Sequence, residues 1–408
     1  LYRVLIKRAR SEILNKKALW LLPVIYIAFI ALGLPDALLG SAWNLVRMDL
    51  GTSLQTLGAM TFCVYVFSIL ATFNAPRLLR VLQTKWIGFV SVAFTGLALI
   101  LISRVGAFYQ MLFFALPLGI GAGAIDVSLN HYLASHYKAS HMNYLHSFYG
   151  IGVTAGPSIM AYTLSQNAWR TGYVIVGSIL LFIALILLVS FPLWQKEHRE
   201  QRDTVHAPIP LKSVLTVPGV MASILIFLVY VHIESLGGAW VASYFFIERG
   251  LTYAQAALMT TTFYLALTIG RLASGFVSHR ILPRSLVFAG TVLILAAAIL
   301  LALPLDSAWV GVAAVFLLGI GSAPVYPNMM YLNSLHFERR QMSKIMSLQM
   351  AVGYMGFGVL TPLAGLFFGR VSIAWYPVFL AVVGGLLLLL VLRYLKATNA
   401  KPSSEVTS

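Results

Sequence analysis

Residues 171–217 read TGYVIVGSILLFIALILLVSFPLW followed by QKEHREQRDTVHAPIPLKSVLTV. The first part carries no charged residue. As an α-helix it is long enough to cross a hydrocarbon core of roughly 30 Å, which takes about 20 apolar residues. The second part, 195–217, gathers Lys, Arg, Glu, His and two prolines, and is the longest polar connection in the chain. The same alternation runs through all 408 residues, which are 60% hydrophobic and only 10% charged, with mean hydropathy +0.87. A soluble domain sits near 45–50% apolar and about 25% charged, so this chain lacks the polar surface to live in water. Disorder is excluded by the same scarcity of charge.

Working outward from 171–194, apolar runs broken by charged or turn-forming clusters predict twelve spans: 18–45, 52–73, 86–103, 107–133, 142–165, 171–194, 218–247, 254–277, 285–303, 309–332, 343–368 and 374–395. Trp20, Trp86, Trp169, Trp194, Trp309 and Trp375 fall at span ends, where an interfacial aromatic belt places them. The 28 Lys and Arg test the segmentation independently, because connections must alternate sides. All but Arg47, Arg104, Arg170, Arg249 and Arg370 fall on the side that holds both termini and 195–217. That side reads as cytoplasmic. The formal charge of +16 would suggest nucleic acid in a soluble chain, but here it is scattered among membrane connections, so no nucleic-acid partner is expected. The basic amino terminus has no small-residue cleavage site and precedes too long an apolar run for a removable signal. Position 1 is Leu, so the natural chain is expected to begin a few residues earlier. The lone Cys63 forms no intrachain disulfide.

The chain repeats itself. Asp36 precedes Gly40 by four residues as Glu234 precedes Gly238; Gly51 answers Gly250; Leu118-Gly119-Ile120-Gly121 recurs as Leu318-Gly319-Ile320-Gly321; Pro157 answers Pro362. A slowly drifting offset near 200 is the mark of a duplicated unit. The expectation is therefore an all-α membrane protein of twelve transmembrane helices in two pseudo-symmetric six-helix bundles, 18–194 and 218–396. A central loop, 195–217, and tails 1–17 and 397–408 would lie in the cytoplasm. Parallel repeats about an axis normal to the membrane, together with the run Gly270-Arg271-Leu272-Ala273-Ser274-Gly275 ending in His279-Arg280, resemble the major facilitator superfamily. The run resembles that family's loop between the second and third helices of a half. Its first-half counterpart, Asn74-Ala75-Pro76-Arg77-Leu78-Leu79-Arg80, lacks the usual Gly and Asp. The resemblance implies transport by alternating access around a site between the halves. Arg271 and Arg280 are the gating candidates.

Three of the twelve acids, Asp36, Asp126 and Glu234, fall inside apolar spans. An Asp at a helix centre costs about 2.5–3.5 kcal/mol on insertion scales, so such residues face a cavity or a partner. A carboxyl group in a low-dielectric cavity titrates nearer neutrality and can load and release a proton. The competing reading is that these acids only bond neighbouring helices. Gly119, Gly123, Asp126 and Asn130 share one helix face by spacing, and Asn143, His146, Gly150, Thr154 and Pro157 form an answering stripe. Asp126, Asn130, Asn143 and His146 are expected to form one cluster. The proton-coupling candidates are Asp36, Asp126, Glu234 and His146, with His232 as a weaker second histidine. The substrate candidates are Trp43, Asn44, Asn130, Asn143, Tyr149, Tyr230, Trp240, Tyr264, Tyr326, Asn328, Gln349 and Tyr354. Polar groups mixed with aromatic rings suit a sugar, bonding its hydroxyls and stacking on its C–H faces.

Leu34-Pro35-Asp36-Ala37-Leu38-Leu39-Gly40 together with Gly119…Asp126…Asn130, Met142-Asn143…His146…Tyr149-Gly150 and Gly156-Pro157 resemble the fucose-permease-like branch, proton symporters for fucose, galactose and glucose. That resemblance implies coupling and sugar-binding carboxylates at Asp36 and Asp126. No His-Glu-x-x-His, Gly-x-Ser-x-Gly or phosphate-loop pattern is present, so neither enzyme chemistry, nor a cofactor, nor a metal is expected. The reading is a monomeric, multi-pass protein of the cell (inner or plasma) membrane that imports a sugar or similar small polar metabolite with protons, or sodium in their place. Two readings stand beside it: a proton-antiport exporter of drugs or lipid-like cargo, and a membrane receptor that transports nothing.

Overall fold

A computed structural model describes residues 19–137, 139–195, 210–278, 280–304 and 307–398. Among them no strand occurs, and the chain runs as a series of long helices. These are α1 (Leu19–Asp49), α2 (Thr56–Val81), α3 (Thr84–Ile102), α4 (Phe108–His136), α5 (Ala139–Leu164) and α6 (Trp169–Val189). Beyond the 196–209 connection come α7 (Val220–Ala239, continued by Val241–Ile247), α8 (Tyr253–Val277), α9 (Pro283–Ala302), α10 (Ala308–His336), α11 (Arg339–Met355, a π-helical turn Gly356–Leu360, then Thr361–Arg370) and α12 (Tyr376–Thr398). By length and composition, 11 of the helices suffice to cross a membrane. The 26-residue α5 is long enough but carries Ser, Thr, Gly and His along its length, and is not one of them. The 74–80 stretch read as a loop from sequence is helical, because α2 continues unbroken to Val81. Asn74 bonds back to the Leu70 carbonyl and accepts from Arg77 Nη1 at 3.2 Å, which ties that turn into the helix. The Gly270–Gly275 run likewise lies within α8.

Several helices are interrupted, and proline explains most of the breaks. A proline ring clashes with the carbonyl four residues back and supplies no N–H. Pro35 breaks α1 at Leu34–Ala37; Pro117 interrupts α4 at Phe114; Pro324 and Pro327 open α10 at Ala323–Pro324; Pro362 follows the π-turn of α11. The α7 break at Trp240 has no proline and follows Gly237-Gly238. Broken helices thus occur at first and seventh, and at fourth and tenth positions, in step with the sequence repeat.

The chain divides into two compact units. One runs to Leu38 and resumes at Cys63; the other takes Leu39–Phe62 and the chain beyond the 196–209 connection. In lipid, apolar burial does not drive helix association, so small residues that admit close backbone approach decide which helices meet. In the first unit a Cβ on Gly119 would lie 3.0 Å from the Ser68 nitrogen of α2, and one on Gly121 would lie 3.0 Å from the Ser91 oxygen of α3. In the second unit Gly319 stands in the same relation to Leu267 of α8, at 3.0 Å, and Gly321 to Gly290 of α9, at 2.7 Å. The recurring Leu-Gly-Ile-Gly tetrad therefore does the same two jobs twice. Gly51 and Gly250, with φ of 59° and 63°, turn the chain into α2 and α8 in a left-handed conformation natural to glycine. Within the second unit, Leu39–Phe62 rests on α7 and α11. A Cβ on Gly40 would meet Ala239 Cα at 2.8 Å, and one on Gly58 would meet Pro362 Cα at 3.0 Å.

Candidate functional site

In the first unit the α1 break presents Asp36. Its backbone N–H bonds Gly33 at 3.2 Å, a turn rather than a helical register, and its side chain is exposed. Gly33, Gly152 and Gly156 let α1 and α5 approach backbone to backbone; a Cβ on Gly33 would stand 2.5 Å from the Tyr149 carbonyl. That approach carries the Tyr149 hydroxyl to Asp36, where it donates to Oδ2 at 2.5 Å. His146, one turn earlier on α5, is exposed, and its ring meets Phe29 of α1 edge-on with centroids 6.0 Å apart. A carboxylate, a phenol and an imidazole thus share one helix crossing. All three can accept or donate a proton or bond a hydroxyl-rich solute.

Asp126 is half-buried on α4 and takes its hydrogen bond from Asn130 Nδ2 at 2.8 Å, on its own helix. Of the four residues expected to cluster, Asp126 and Asn130 are bonded to each other. The side chain of Asn143 lies outside the described residues. The stripe read as one polar face is divided in use, since Gly119 and Gly123 press on α2 while Asp126 and Asn130 bond each other. Asn130 Oδ1 is buried without a hydrogen-bond partner among the described residues.

The second unit handles its acid differently. Tyr230 and Glu234, four apart on α7, share a face, and the Tyr230 hydroxyl donates to Glu234 Oε2 at 2.6 Å. Arg271 reaches across from α8, its Nη2 donating to Oε2 at 3.1 Å, to Oε1 at 3.3 Å and to the Tyr230 hydroxyl at 3.1 Å. Arg271 turns into the helix pair, unlike a headgroup anchor, and its side chain remains 25% exposed. Tyr326 of α10 adjoins this triad, its ring 6.3 Å from that of Tyr230 and 5.2 Å from that of Phe227. Arg280 is exposed in the turn after α8.

Other substrate candidates lie where helices meet. Trp43 and Trp240 are wholly buried, their indole N–H groups donating to the Leu54 and Thr361 carbonyls at 2.9 Å and 3.3 Å. Gln349 is wholly buried and donates to Ser223, which donates to Asn333; Tyr394 also donates to Asn333. Asn328 bonds Ser274 of α8 at 3.0 Å and the Pro324 carbonyl that begins its own helix at 2.7 Å. Tyr264 is buried with its hydroxyl where a Gly238 side chain would be, and Tyr354 is half-buried just before the π-turn. Asn44 is buried and its Oδ1 has no partner among the described residues. Sequence reasoning missed Ser235 and Thr361. With His232 they form a buried hydroxyl–imidazole group where α7 meets the α11 π-turn: Ser235 bonds Thr361, and His232 Nδ1 lies 3.3 Å from the Thr361 hydroxyl. His232, already a candidate, and Pro362 after a Gly-rich stretch were the signals of that site.

Among the described residues no cluster of His, Cys, Asp and Glu forms a metal-binding group. Comparison with known proteins agrees with a transport scaffold. Residues 25–246 and 222–408 match the profile of the Major Facilitator Superfamily. The yeast protein named Bypass of stop codon protein 6, from Saccharomyces cerevisiae, is 25% identical over 209 residues, 45% of this chain and 41% of its own length. The match thus spans under half of that relative. A bacterial homolog of the human lysosomal transporter Spinster, in an inward-facing and occupied conformation, superposes with TM-score 0.71 at 14% identity, over 96% of this chain and 97% of that one. The nucleoside transporter NupG superposes with TM-score 0.69 at 12% identity, over 94% of this chain and 100% of that one. At such identities the likeness is one of fold. The family profile, matched over nearly the whole chain, decides the matter: this is a member of the Major Facilitator Superfamily, a membrane transporter rather than an enzyme.

Proposed function

We propose that the chain is a proton-coupled symporter of a sugar or similar small polar metabolite. It works by alternating access, with twelve membrane helices counting α5 and with both termini in the cytoplasm of a cell-membrane protein. The observation that carries the reading is Asp36, an acid in the break of a membrane helix, exposed and bonded by the Tyr149 hydroxyl at 2.5 Å. A broken helix at membrane depth is tolerated where it lines a cavity, and an acid there marks an ion or substrate path. Protonation of Asp36 removes its charge and gives it a donor, so one residue changes both the energy of crossing and what a solute hydroxyl finds to bond. Asp126, bonded by the neutral Asn130, is the second coupling acid, and His146 beside Tyr149 the proton's neighbour on the path. Asn44 and Asn130 each hold a buried amide oxygen without a hydrogen-bond partner among the described residues, an arrangement costing about 1–3 kcal/mol unless a donor arrives. A solute hydroxyl supplies one. Trp43, Trp240 and Gln349 support the helices that carry these groups.

The test is uptake into proteoliposomes with a panel of hexoses and of nucleosides, the latter added because the NupG fold-relative is named for them. At least one hexose is expected to enter together with protons, alkalinising the outside, and Asp36→Asn is expected to stop the proton movement. Uptake indifferent to the proton gradient but driven by sodium would replace the ion. Uptake indifferent to both gradients would overturn the symport reading.

A further inference from the structure

The geometry of the Glu234–Arg271 pair carries a second specificity. We propose that Arg271 reads a carboxylate on the transported solute: Glu234 occupies the guanidinium in the state seen here, and the solute's carboxylate takes Glu234's place once Glu234 carries a proton. The inference rests on the transport reading above and narrows its substrate to an acidic polar solute, such as a sugar acid.

Three observations support it. First, a guanidinium is the side chain best matched to carboxylate, through planar, charge-assisted bonds. Arg271 already makes such bonds to Glu234, from a position where its side chain is 25% exposed while that of Glu234 is 11% exposed. The cation is thus the more accessible partner. Second, a buried ion pair gains little stability over apolar packing, so its retention in a membrane helix pair points to a role in recognition or switching. Third, the Tyr230 hydroxyl donates to Glu234 and accepts from Arg271, and the Tyr326 ring lies beside it. Arg271 therefore keeps an aromatic and hydroxyl surround when Glu234 lets go, the surround a hydroxylated carbon chain would meet.

The charge balance is closed. One proton moves from water to a Glu234 carboxylate oxygen, the Arg271–Glu234 bonds break, and equivalent bonds form between Arg271 and the incoming carboxylate. A monoanion and a proton enter together, and no net charge is left in the membrane. The charged and titratable groups about Glu234 are few. On α7 they are Tyr230 and His232, the latter turned toward Thr361 of α11; α8 brings Arg271 and Tyr264, α10 Tyr326, and α12 Tyr376, which bonds the Leu236 carbonyl at 3.4 Å. Leu39–Phe62, resting on α7 at Gly40, carries Arg47 and Asp49 farther along.

The experiment compares D-glucuronate with D-glucose, the same ring with and without a carboxylate, by thermal shift of the purified full chain at about pH 5.5 and about pH 7.5. Inorganic phosphate serves as a third probe. Glucuronate is expected to stabilise the wild type more at the lower pH, and Glu234→Gln at both. Arg271→Gln is expected to weaken glucuronate by about tenfold or more. Should Arg271→Gln not fold, with Glu234 left unpaired, the neutral double variant Glu234→Gln/Arg271→Gln reads the same loss. Equal responses to glucuronate and glucose in wild type and Glu234→Gln overturn the proposal, as do a glucuronate response that survives loss of Arg271, a response to phosphate alone, and no response to any probe. The symport reading is judged separately, by Asp36→Asn in glucose-driven proton uptake, so the two can fail apart.

Discussion

The two halves share a helix plan and part over what they do with charge. In the first half a tyrosine hydroxyl bonds Asp36 and an asparagine amide bonds Asp126. In the second half a guanidinium serves Glu234, and tyrosine only bridges the pair. A carboxylate bonded by a neutral group changes the local charge by a full unit when it titrates. One tied to arginine must break an ion pair to do so. Duplication preserved the scaffold and let its electrostatics diverge, and the two proposals made above, proton movement at Asp36 and charge recognition at Arg271, follow that divergence.

The comparison is most severely tested at the ion pair. Removing one partner of a buried pair leaves the other charge stranded, at a cost of about 3–5 kcal/mol in soluble proteins. Arg271→Gln is therefore expected to lower stability by about that much in thermal or detergent unfolding, and Glu234→Gln/Arg271→Gln to recover most of it. A double-mutant cycle isolates the coupling. If the double variant is as unstable as the single one, the pair is not coupled and the contrast between halves disappears. Next in size is Asp36→Asn. It removes the acid that Tyr149 bonds, and proton-coupled uptake is expected to fall by about tenfold or more, the value of a hydrogen bond to a charged group. The fold should be little disturbed, because Asn fits the same break. Uptake unchanged in Asp36→Asn would return that acid to a packing role.

Legibility followed the physics of each signal. The repeat was readable because close helix approach demands glycine, and Gly119, Gly121, Gly319 and Gly321 meet equivalent neighbours in both halves. Most helix breaks were readable from proline, whose clash is local; the break at Trp240 was not. Asp36 stood out as an acid in an apolar run. Its partner Tyr149 was a candidate by motif, but their bond, between residues 113 apart, depends on how α1 and α5 cross. The partner of Glu234 was hidden for the same reason: Arg271 sits in a run resembling a loop motif, and only helix pairing turns it inward. Ser235 and Thr361 gave almost no signal, since hydroxyl residues are ordinary in membrane helices and usually bond their own backbone.

Equal scaffolds imply equal costs where charge plays no part. Gly119→Ala and Gly319→Ala each push a methyl group toward the backbone of the next helix, and overpacking of that kind costs about 1–3 kcal/mol. The two losses of stability should agree with each other. A large loss in one half with none in the other would show that the tetrads only look alike.

The smallest expected effect is also the cleanest comparison. Gly51 and Gly250 have nothing within 4 Å of where a Cβ would stand, so a side chain there meets no obstacle and the whole cost of substitution is conformational. Both hold φ near +60°, where an L-residue with a Cβ is disfavoured by roughly 1–2 kcal/mol. Gly51→Ala and Gly250→Ala should each lower stability by about 1 kcal/mol. Asn at either position should restore part of the loss, because its side chain tolerates the left-handed region. Neither variant should alter the response to solute or to pH, since neither glycine touches an acid or its donors. If alanine costs nothing at both positions, the turns are not held left-handed. If it costs at one alone, the symmetry of the scaffold ends at its turns, and divergence between the halves reaches past charge into the backbone itself.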